Sequence, residues 1–274
     1  EISRQLDSTI GIRDGVARLN SLQLELGELG PAIAEYEDVL RRYADQDDLV
    51  IFALPDLALA YAGLGTTEIF LSRYGSEEHR WENLGANFRD YFLAPFAWIY
   101  ALAGRDQEAA EVMRHFTFDV MQQRFMPIRA WNFKAAAQLF FARQQYDEAV
   151  AFIDRIVAEQ VQSAAYYFLG DLLLLKAETL LAVDPPQPDE ARAALREARS
   201  WQEKSGSRRI LWRILAALAD LVPPAEALAL RQEAWQIASH IAEGIAGAEL
   251  RHAFLDQPLA ERVREASAAD SAGG

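Results

Sequence analysis

The chain has 274 residues, of which 51% are hydrophobic and 25% are charged, so it is long enough and apolar enough to bury a sizeable core. Its net charge of −14 argues against direct binding of nucleic acid, because phosphate recognition needs a positive surface. It contains no cysteine, which excludes disulfides, thiolate nucleophiles and zinc sites built on sulfur, and we expect a cytoplasmic protein.

No segment is typical of a membrane span or a leader. The longest run without a charge or an amide, residues 91–104, is interrupted by Pro95 and is shorter than the roughly 20 residues that a bilayer requires. The N-terminus lacks the basic leader and apolar run of a signal peptide. The chain begins with Glu1 rather than methionine, which indicates an excised piece of a longer protein.

In chain order, apolar residues recur at three- and four-residue spacings, which is typical of helices with one apolar face. Residues 1–12 are interpreted as the end of a preceding helix. Residues 16–43 predict a first helical hairpin, with its turn at Gly27 and with Pro31 in the first turn of its second helix. Residues 49–73 predict a second hairpin, whose second helix is degenerate.

The later units repeat the pattern. The third unit turns at Gly104, and the fourth turns at 146–150, between an aromatic helix and an amphipathic one. The fifth has a long first helix over about 162–183, closed by three prolines within 185–188, which cannot continue a helix. The sixth turns at the next proline pair, and a final short helix is predicted over 250–255.

The second helix of each unit begins with one aligned residue, which is small in all units but one. These residues are Ala32, Phe70, Ala109, Ala149, Ala191 and Ala227. Their separations of 36 to 42 residues, with two helices per unit, are the mark of a solenoid in which each unit buries the next. We therefore predict an all-α fold, a helical-hairpin solenoid of about six repeats over residues 1–264, followed by a disordered tail over 265–274.

Two stretches, 16–40 and 93–157, resemble tetratricopeptide repeats. The resemblance lies in the order of an aromatic residue, a turn residue and an alanine, as in Tyr100-Gly104-Ala109 and Phe140-Gln144-Ala149. It implies a superhelix of helical hairpins.

The longer period is similar to that of the C-terminal sensor arrays of large bacterial signalling ATPases, including LuxR-type regulators and multidomain adenylate cyclases. Residues 175–181 with 189–191 resemble a penultimate repeat of such arrays, and residues 249–258 resemble their closing segment. In those proteins the ATP-binding and cyclase domains lie upstream of the repeats. The resemblance therefore implies a sensory portion without catalytic chemistry of its own.

No motif indicates an enzyme. A GxxxxGK[ST] phosphate-binding loop is absent, and Gly63-Leu64-Gly65 is interpreted as a turn. There is no Gly-x-Ser-x-Gly elbow, and the abundant carboxylates single out no acid–base pair. The histidines never occur at the i,i+3 or i,i+4 spacing that places two ligands on one helix face; they are His79, His115, His240 and His252. We expect no catalytic residue, no metal site and no cofactor.

A partner surface is predicted on the concave wall that the tetratricopeptide alignment implies, at first-helix positions offset from the buried stripe. Its residues are Phe52, Leu59, Tyr91, Trp98, Trp131, Lys134, Gln138 and Phe141. Large aromatic side chains in one groove would anchor a peptide or protein partner. The alternative is that these residues are core, since aromatic residues at helical spacing usually pack inside.

Three functional hypotheses remain. The favoured one is a protein- or peptide-binding array, the sensory or scaffold portion of a bacterial signal-transduction or transcription regulator, whose partner is a separate protein or an upstream domain of the same chain. The second is a small-molecule effector pocket inside the superhelix, which would form a closed aromatic cavity. The third is an enzyme with paired carboxylates in a closed helical barrel. The sequence leaves the oligomeric state open.

Overall fold

The computed structural model describes residues 19–84, 86–115, 126–164, 166 and 168–271, and these residues form helices and no strand. Residues 1–12, interpreted above as the end of a preceding helix, lie outside the described residues. The helices are α1 (19–26), α2 (Leu29–Arg42), α3 (Asp47–Gly63), α4 (Thr67–Tyr74), a 3-10 helix (Gly75–Asn83), α5 (Ala86–Leu102), α6 (Asp106–Arg114), α7 (Met126–Ala142), α8 (Tyr146–Ser163), α9 (Leu169–Ala182), α10 (Pro188–Ser205), α11 (Leu211–Ala219), α12 (Pro224–Gly244), α13 (Ala248–Leu255) and α14 (Pro258–Ser271).

The helices pack in pairs that are adjacent in sequence and form two layers. The outer helices α2, α8 and α10 each bury a single stripe, such as Ala149, Ile153 and Ile156 on α8. The inner helices are apolar around most of their circumference, and α9 buries four consecutive leucines, Leu172 to Leu175. A helix that is apolar on all sides has to be covered on all sides, so the sequence itself places this set inside. The architecture is therefore an all-helical stack of helix pairs, compatible with a solenoid.

The same turn closes four successive hairpins. In each, one residue adopts a left-handed conformation with φ between 58° and 86°; these residues are Gly27, Gly65, Gly104 and Gln144. Its N–H donates to the carbonyl three residues earlier, and the following N–H donates to the carbonyl five residues before it. This is the Schellman pattern, which satisfies the last carbonyls of a helix. The turns recur every 38 to 40 residues, which agrees with the period read from the sequence.

The residue five positions after each of these turns is the aligned residue of the predicted repeat. Ala32, Phe70, Ala109, Ala149 and Ala191 are fully buried, and Ala227 is nearly so. The small side chain allows the second helix of each pair to approach its neighbours closely. In the second unit the larger Phe70 accompanies a short α4 of eight residues and a 3-10 helix, as the degenerate pattern predicted.

Three boundaries differ from the sequence prediction. The fourth hairpin turns at Gln144 rather than over 146–150, because these residues already form the first turn of α8. The first helix of the fifth unit begins at Leu169 rather than near 162, because Ala164 and Phe168 are left-handed and interrupt the chain between α8 and α9. At the C-terminus, α14 continues to Ser271, into the segment predicted to be a disordered tail. Its last turns are rich in alanine, the best helix former, so the helix extends beyond the buried Val263.

The stack closes on itself. Helix α2, near the start of the described chain, packs against α12, near its end. The contact is close: a Cβ added to Gly30 would lie 2.0 Å from the carbonyl oxygen of Gly244, so only glycine fits there. Among the described helices, none combines the length and the apolar character that crossing a bilayer requires.

Candidate functional site

The predicted groove residues lie on the inner helices and point into the shared interior. Five of the eight are buried, namely Leu59, Trp98, Trp131, Lys134 and Gln138. Phe52, Tyr91 and Phe141 are partly buried. Phe52 and Tyr91 touch each other, with ring centroids 5.8 Å apart, and Phe141 touches Tyr146 on the outer α8. In this closed arrangement most of these side chains are covered by the protein itself; their role in binding a partner stays a prediction.

Two aromatic rings, Trp98 and Phe168, flank the ammonium group of Lys134, and Trp131 packs against both rings; we call Trp98, Trp131 and Phe168 the aromatic box. Trp131 lies between the other two, with centroid distances of 5.6 Å to Trp98 and 4.8 Å to Phe168. The Nζ atom lies 4.3 Å from the centroid of Trp98 and 4.8 Å from that of Phe168. Cation–π attraction is strongest where water is excluded, so the box stabilises a buried positive charge.

Lys134 also belongs to a cluster of four charged side chains that joins four parts of the chain. We call Glu25, Lys134, Asp171 and Arg209 the ion cluster. Asp171 accepts hydrogen bonds from Lys134 and, in bidentate fashion, from Arg209 at 3.0 and 2.5 Å. Arg209 Nε donates to Glu25 Oε1 at 3.0 Å. The side chains of Lys134 and Arg209 are only 4% and 3% exposed, so both cations depend on these carboxylates for compensation.

The environment shifts the pKa values within the cluster. Burial lowers the pKa of Lys134 to about 8, although Asp171 opposes this shift. Burial acts to raise the pKa of Asp171, but the charges of Arg209 and Lys134 outweigh it and hold that pKa well below its usual value. Asp171 is therefore ionised over the whole physiological range, and its charge holds the two buried cations together.

A second carboxylate near the cluster has a neutral partner. The hydroxyl of Tyr36 on α2 donates to Asp56 on α3 at 2.6 Å. Burial raises the pKa of Asp56 to about 6, and the hydrogen bond from Tyr36 only partly opposes this. Among the described residues, no cation lies within ion-pair distance of the Asp56 carboxylate, in contrast to Asp171.

Helix α1, at the start of the described chain, meets the segment between α10 and α11 at what we call the closing seam, formed by Glu25 and residues 207–209. The carbonyl of Glu25 accepts hydrogen bonds from the backbone N–H groups of Arg208 and Arg209, at 2.6 and 3.3 Å. Its carboxylate accepts from Ser207 Oγ at 2.6 Å and from Arg209. A single residue of α1 thus holds the segment between α10 and α11 through both its backbone and its side chain.

A second set of polar contacts holds α4 against α13. Arg73 donates to the Tyr61 hydroxyl at 2.8 Å and forms ion pairs with Glu37 and, at 2.8 Å, with Glu249. Nearby, the Gln257 amide donates to the Leu64 carbonyl at 2.5 Å. The closed arrangement is therefore held by hydrogen bonds and ion pairs at two places.

In the ion cluster each charged side chain is paired with one of opposite charge, and the Ser207 hydroxyl also donates to the Glu25 carboxylate. Within the described ranges no three histidine, aspartate or glutamate side chains come together as metal ligands. Two surface pockets lie away from the cluster, one of about 380 Å³ between α12 and α13 and one of about 250 Å³ beside Trp201.

Glu25, Phe168 and Asp171 were not singled out from the sequence. The basic pair Arg208-Arg209 is typical of a solvated helix end, but the side chain of Arg209 is only 3% exposed. A usable signal was present for Asp171, because it is the only acidic residue in the first two turns of a leucine-rich helix. A lone charge in a segment that must be buried on all sides requires a partner of opposite charge, and Lys134 within an aromatic helix carries the complementary signal. The sequence around each charged residue does not indicate which other charged residue is its partner.

Comparisons of the chain with protein-family models, curated proteins and solved structures find no match. The resemblance to tetratricopeptide arrays of signalling ATPases therefore remains a prediction, and the functional interpretation depends on the geometry of the chain itself.

Proposed function

We propose that the chain is a non-catalytic protein- or peptide-binding helical-repeat domain, tetratricopeptide-like with about six repeats, and that it forms the sensory or scaffold portion of a bacterial signal-transduction or transcription regulator. The observation that carries this proposal is the convergence of aromatic and charged side chains from successive inner helices on one interior. Buried aromatic and arginine side chains are the groups that most often dominate binding to a protein partner.

The partner reaches this interior when the closing seam opens. In the closed form the aromatic box is occupied by Lys134 of the chain itself, so binding requires a second arrangement in which the inner helices are accessible. A partner that binds only the open form shifts the population toward it by its differential affinity. The partner is a protein or peptide, or an upstream domain of the same parent chain.

The seam is the natural place for opening because its contacts are polar and reach the surface. The side chain of Glu25 is 38% exposed, whereas its partner Arg209 is buried. On opening, water replaces the hydrogen bonds of Glu25, while Arg209 keeps its bidentate contact with Asp171. Exchange of exposed polar contacts for water costs less than exposure of apolar core.

The alternative of a small-molecule effector inside the superhelix has less support. The aromatic side chains that would line such a site pack against each other and around Lys134. A ligand in that position would have to displace the ammonium group from the box and leave Asp171 with one cation fewer.

A random-peptide display library tests the proposal. Peptides are selected on the full chain, and their affinities are measured for the wild type, for Glu25→Gln at the seam, and for Asp38→Asn, which removes only the surface pairs to Arg41 and Arg42. We expect Glu25→Gln to bind the selected peptides about tenfold more tightly, because loss of about 1.4 kcal/mol of closing energy raises the open population by that factor. Asp38→Asn should bind like the wild type.

A Trp98→Leu substitution in the Glu25→Gln background, checked for native circular dichroism, should abolish binding because it removes one wall of the aromatic box. Failure to select any peptide on either protein would refute the proposal, as would equal affinities across all variants. Retained binding by the Trp98→Leu variant would place the partner surface outside the interior.

A further inference from the structure

The pocket between α12 and α13 combines charge of both signs with an apolar wall. It is a shallow, largely open depression with a volume of about 380 Å³. Helix α12 contributes Trp235, Ser239, Ala242 and Glu243, and α13 contributes Arg251 and Leu255. Trp235, Ser239 and Glu243 are spaced by four, as are Arg251 and Leu255, and Ala242 follows Ser239 by three, so each helix presents one continuous stripe to the pocket.

Arg251 is fixed in place but lacks a carboxylate partner. Its Nε and Nη2 atoms both donate to the carbonyl oxygen of Ile245, at 2.9 and 2.5 Å, which holds the guanidinium in a defined orientation. No described carboxylate lies within ion-pair distance of it. On the neighbouring helices, by contrast, Arg231 and Arg262 both pair with Asp220, at 2.9 and 3.1 Å. A partly buried, oriented guanidinium with free donors is suited to an anionic ligand group.

The opposite charge and the apolar wall come from α12. Glu243 is exposed in the same pocket and forms no described ion pair, so its carboxylate is free to accept from a cationic ligand group. Trp235 is partly buried against the core and offers a rigid apolar surface, extended by Ala242 and Leu255. A fixed cation, a free anion and an aromatic wall within one small pocket match a zwitterion that carries an apolar side chain.

We infer that this pocket binds a free α-amino acid with a large apolar side chain. Its carboxylate pairs with Arg251, its ammonium group pairs with Glu243, and its side chain packs on Trp235 and Leu255. The site is separate from the interior proposed as the partner surface, and it does not depend on that proposal. It lies beside the backbone contact of Gly30 with Gly244. A bound ligand therefore stabilises the packing of α2 against α12, one of the contacts that close the stack.

Calorimetric titration of the full chain with L-phenylalanine and two blocked derivatives tests the inference. N-acetyl-L-phenylalanine lacks the ammonium group, and L-phenylalanine amide lacks the carboxylate. We expect saturable binding of L-phenylalanine and a loss of about tenfold or more in affinity for each derivative, because each leaves one charged partner without its hydrogen bonds.

Glu243→Gln is the informative variant, because the side chain is exposed and its removal leaves the packing intact. This substitution should weaken the binding of L-phenylalanine by about tenfold. It should leave the affinity for N-acetyl-L-phenylalanine unchanged, because that derivative has no ammonium group to pair with Glu243. The matched control, Glu261→Gln on α14, should bind both probes like the wild type. Absence of saturable binding with every probe would overturn the inference. Equal binding of the acid and its amide, or an unchanged affinity in Glu243→Gln, would do so too.

Discussion

Two aspartates, Asp171 and Asp38, each hold two cations, yet they belong to very different parts of the molecule. Asp38 pairs with Arg41 and Arg42 within one helix, and those arginines are 74% and 56% exposed. Asp171 pairs with Lys134 and Arg209, which come from other parts of the chain and are almost completely buried. The carboxylates themselves are covered to a similar degree. The difference is therefore the burial of the cations and the distance along the chain that each aspartate bridges.

Substitution of these two aspartates gives the largest expected contrast. Asp171→Asn preserves the shape of the side chain but leaves two buried cations with less compensation, so we expect a loss of about 3–5 kcal/mol in the free energy of unfolding. Asp38→Asn should cost less than about 1 kcal/mol, because its pairs are exposed and local. Urea denaturation followed by circular dichroism measures both. Equal losses would contradict the view that burial of the cations sets the contribution.

Asp56 sharpens the comparison because it is an interior carboxylate whose direct partner is neutral. Its pKa in the folded state is raised to about 6, above the value of about 4 expected in the unfolded chain. The unfolded state therefore releases this proton first, and the associated stability is lost as pH rises from about 4 to about 6. The pH dependence from Asp171 has the opposite sign. Its pKa is lowered in the folded state, so its contribution to stability is lost as the pH falls.

An Asp56→Asn variant should remove the loss of stability that ionisation of the buried Asp56 carboxylate causes. The amide oxygen still accepts from Tyr36, and no charge is buried at neutral pH. Relative to the wild type, the variant should gain stability between pH 4 and pH 7, by about 1–3 kcal/mol for a shift of this direction and size. Paired denaturation curves at the two pH values measure the change. A stability difference that does not vary with pH would show that the pKa of Asp56 is the same in the folded and unfolded states.

The elements fixed by local chemistry were predictable from the sequence. Gly65 and Gly104 lie at predicted hairpin turns, whereas Gln144 precedes the predicted turn over 146–150; the residue five positions after each is fully buried, namely Phe70, Ala109 and Ala149. The break between α8 and α9 was missed because it contains neither glycine nor proline among its described residues, and Ala164 and Phe168 adopt left-handed backbone against the usual preference. The helix propensities of these residues therefore did not indicate the break.

The candidate site was only partly predictable, for a different reason. The tetratricopeptide alignment placed Trp98, Trp131 and Lys134 on one wall, and in the structure Trp98 contacts both of the others; their role as a partner surface stays a prediction. It did not indicate that the stack closes, since closure depends on pairs such as Glu25 with Ser207 and Leu64 with Gln257, 182 and 193 residues apart. A periodic pattern describes contacts between neighbours and contains no information about whether the first unit meets the last.

The smallest expected effect concerns the seam itself. Ser207→Ala removes one hydrogen bond to the Glu25 carboxylate. The hydrogen bond from the Arg209 side chain to that carboxylate remains, as do the two from backbone N–H groups to the Glu25 carbonyl. We expect a loss of about 1 kcal/mol, the usual net value of one hydrogen bond. If the seam opens separately from the core, amide hydrogen exchange should accelerate in α1 and at Arg208 and remain unchanged in α7. Uniform acceleration throughout the chain would instead mean that the seam and the ion cluster unfold as one unit, and that the closed form has no separate open partner state.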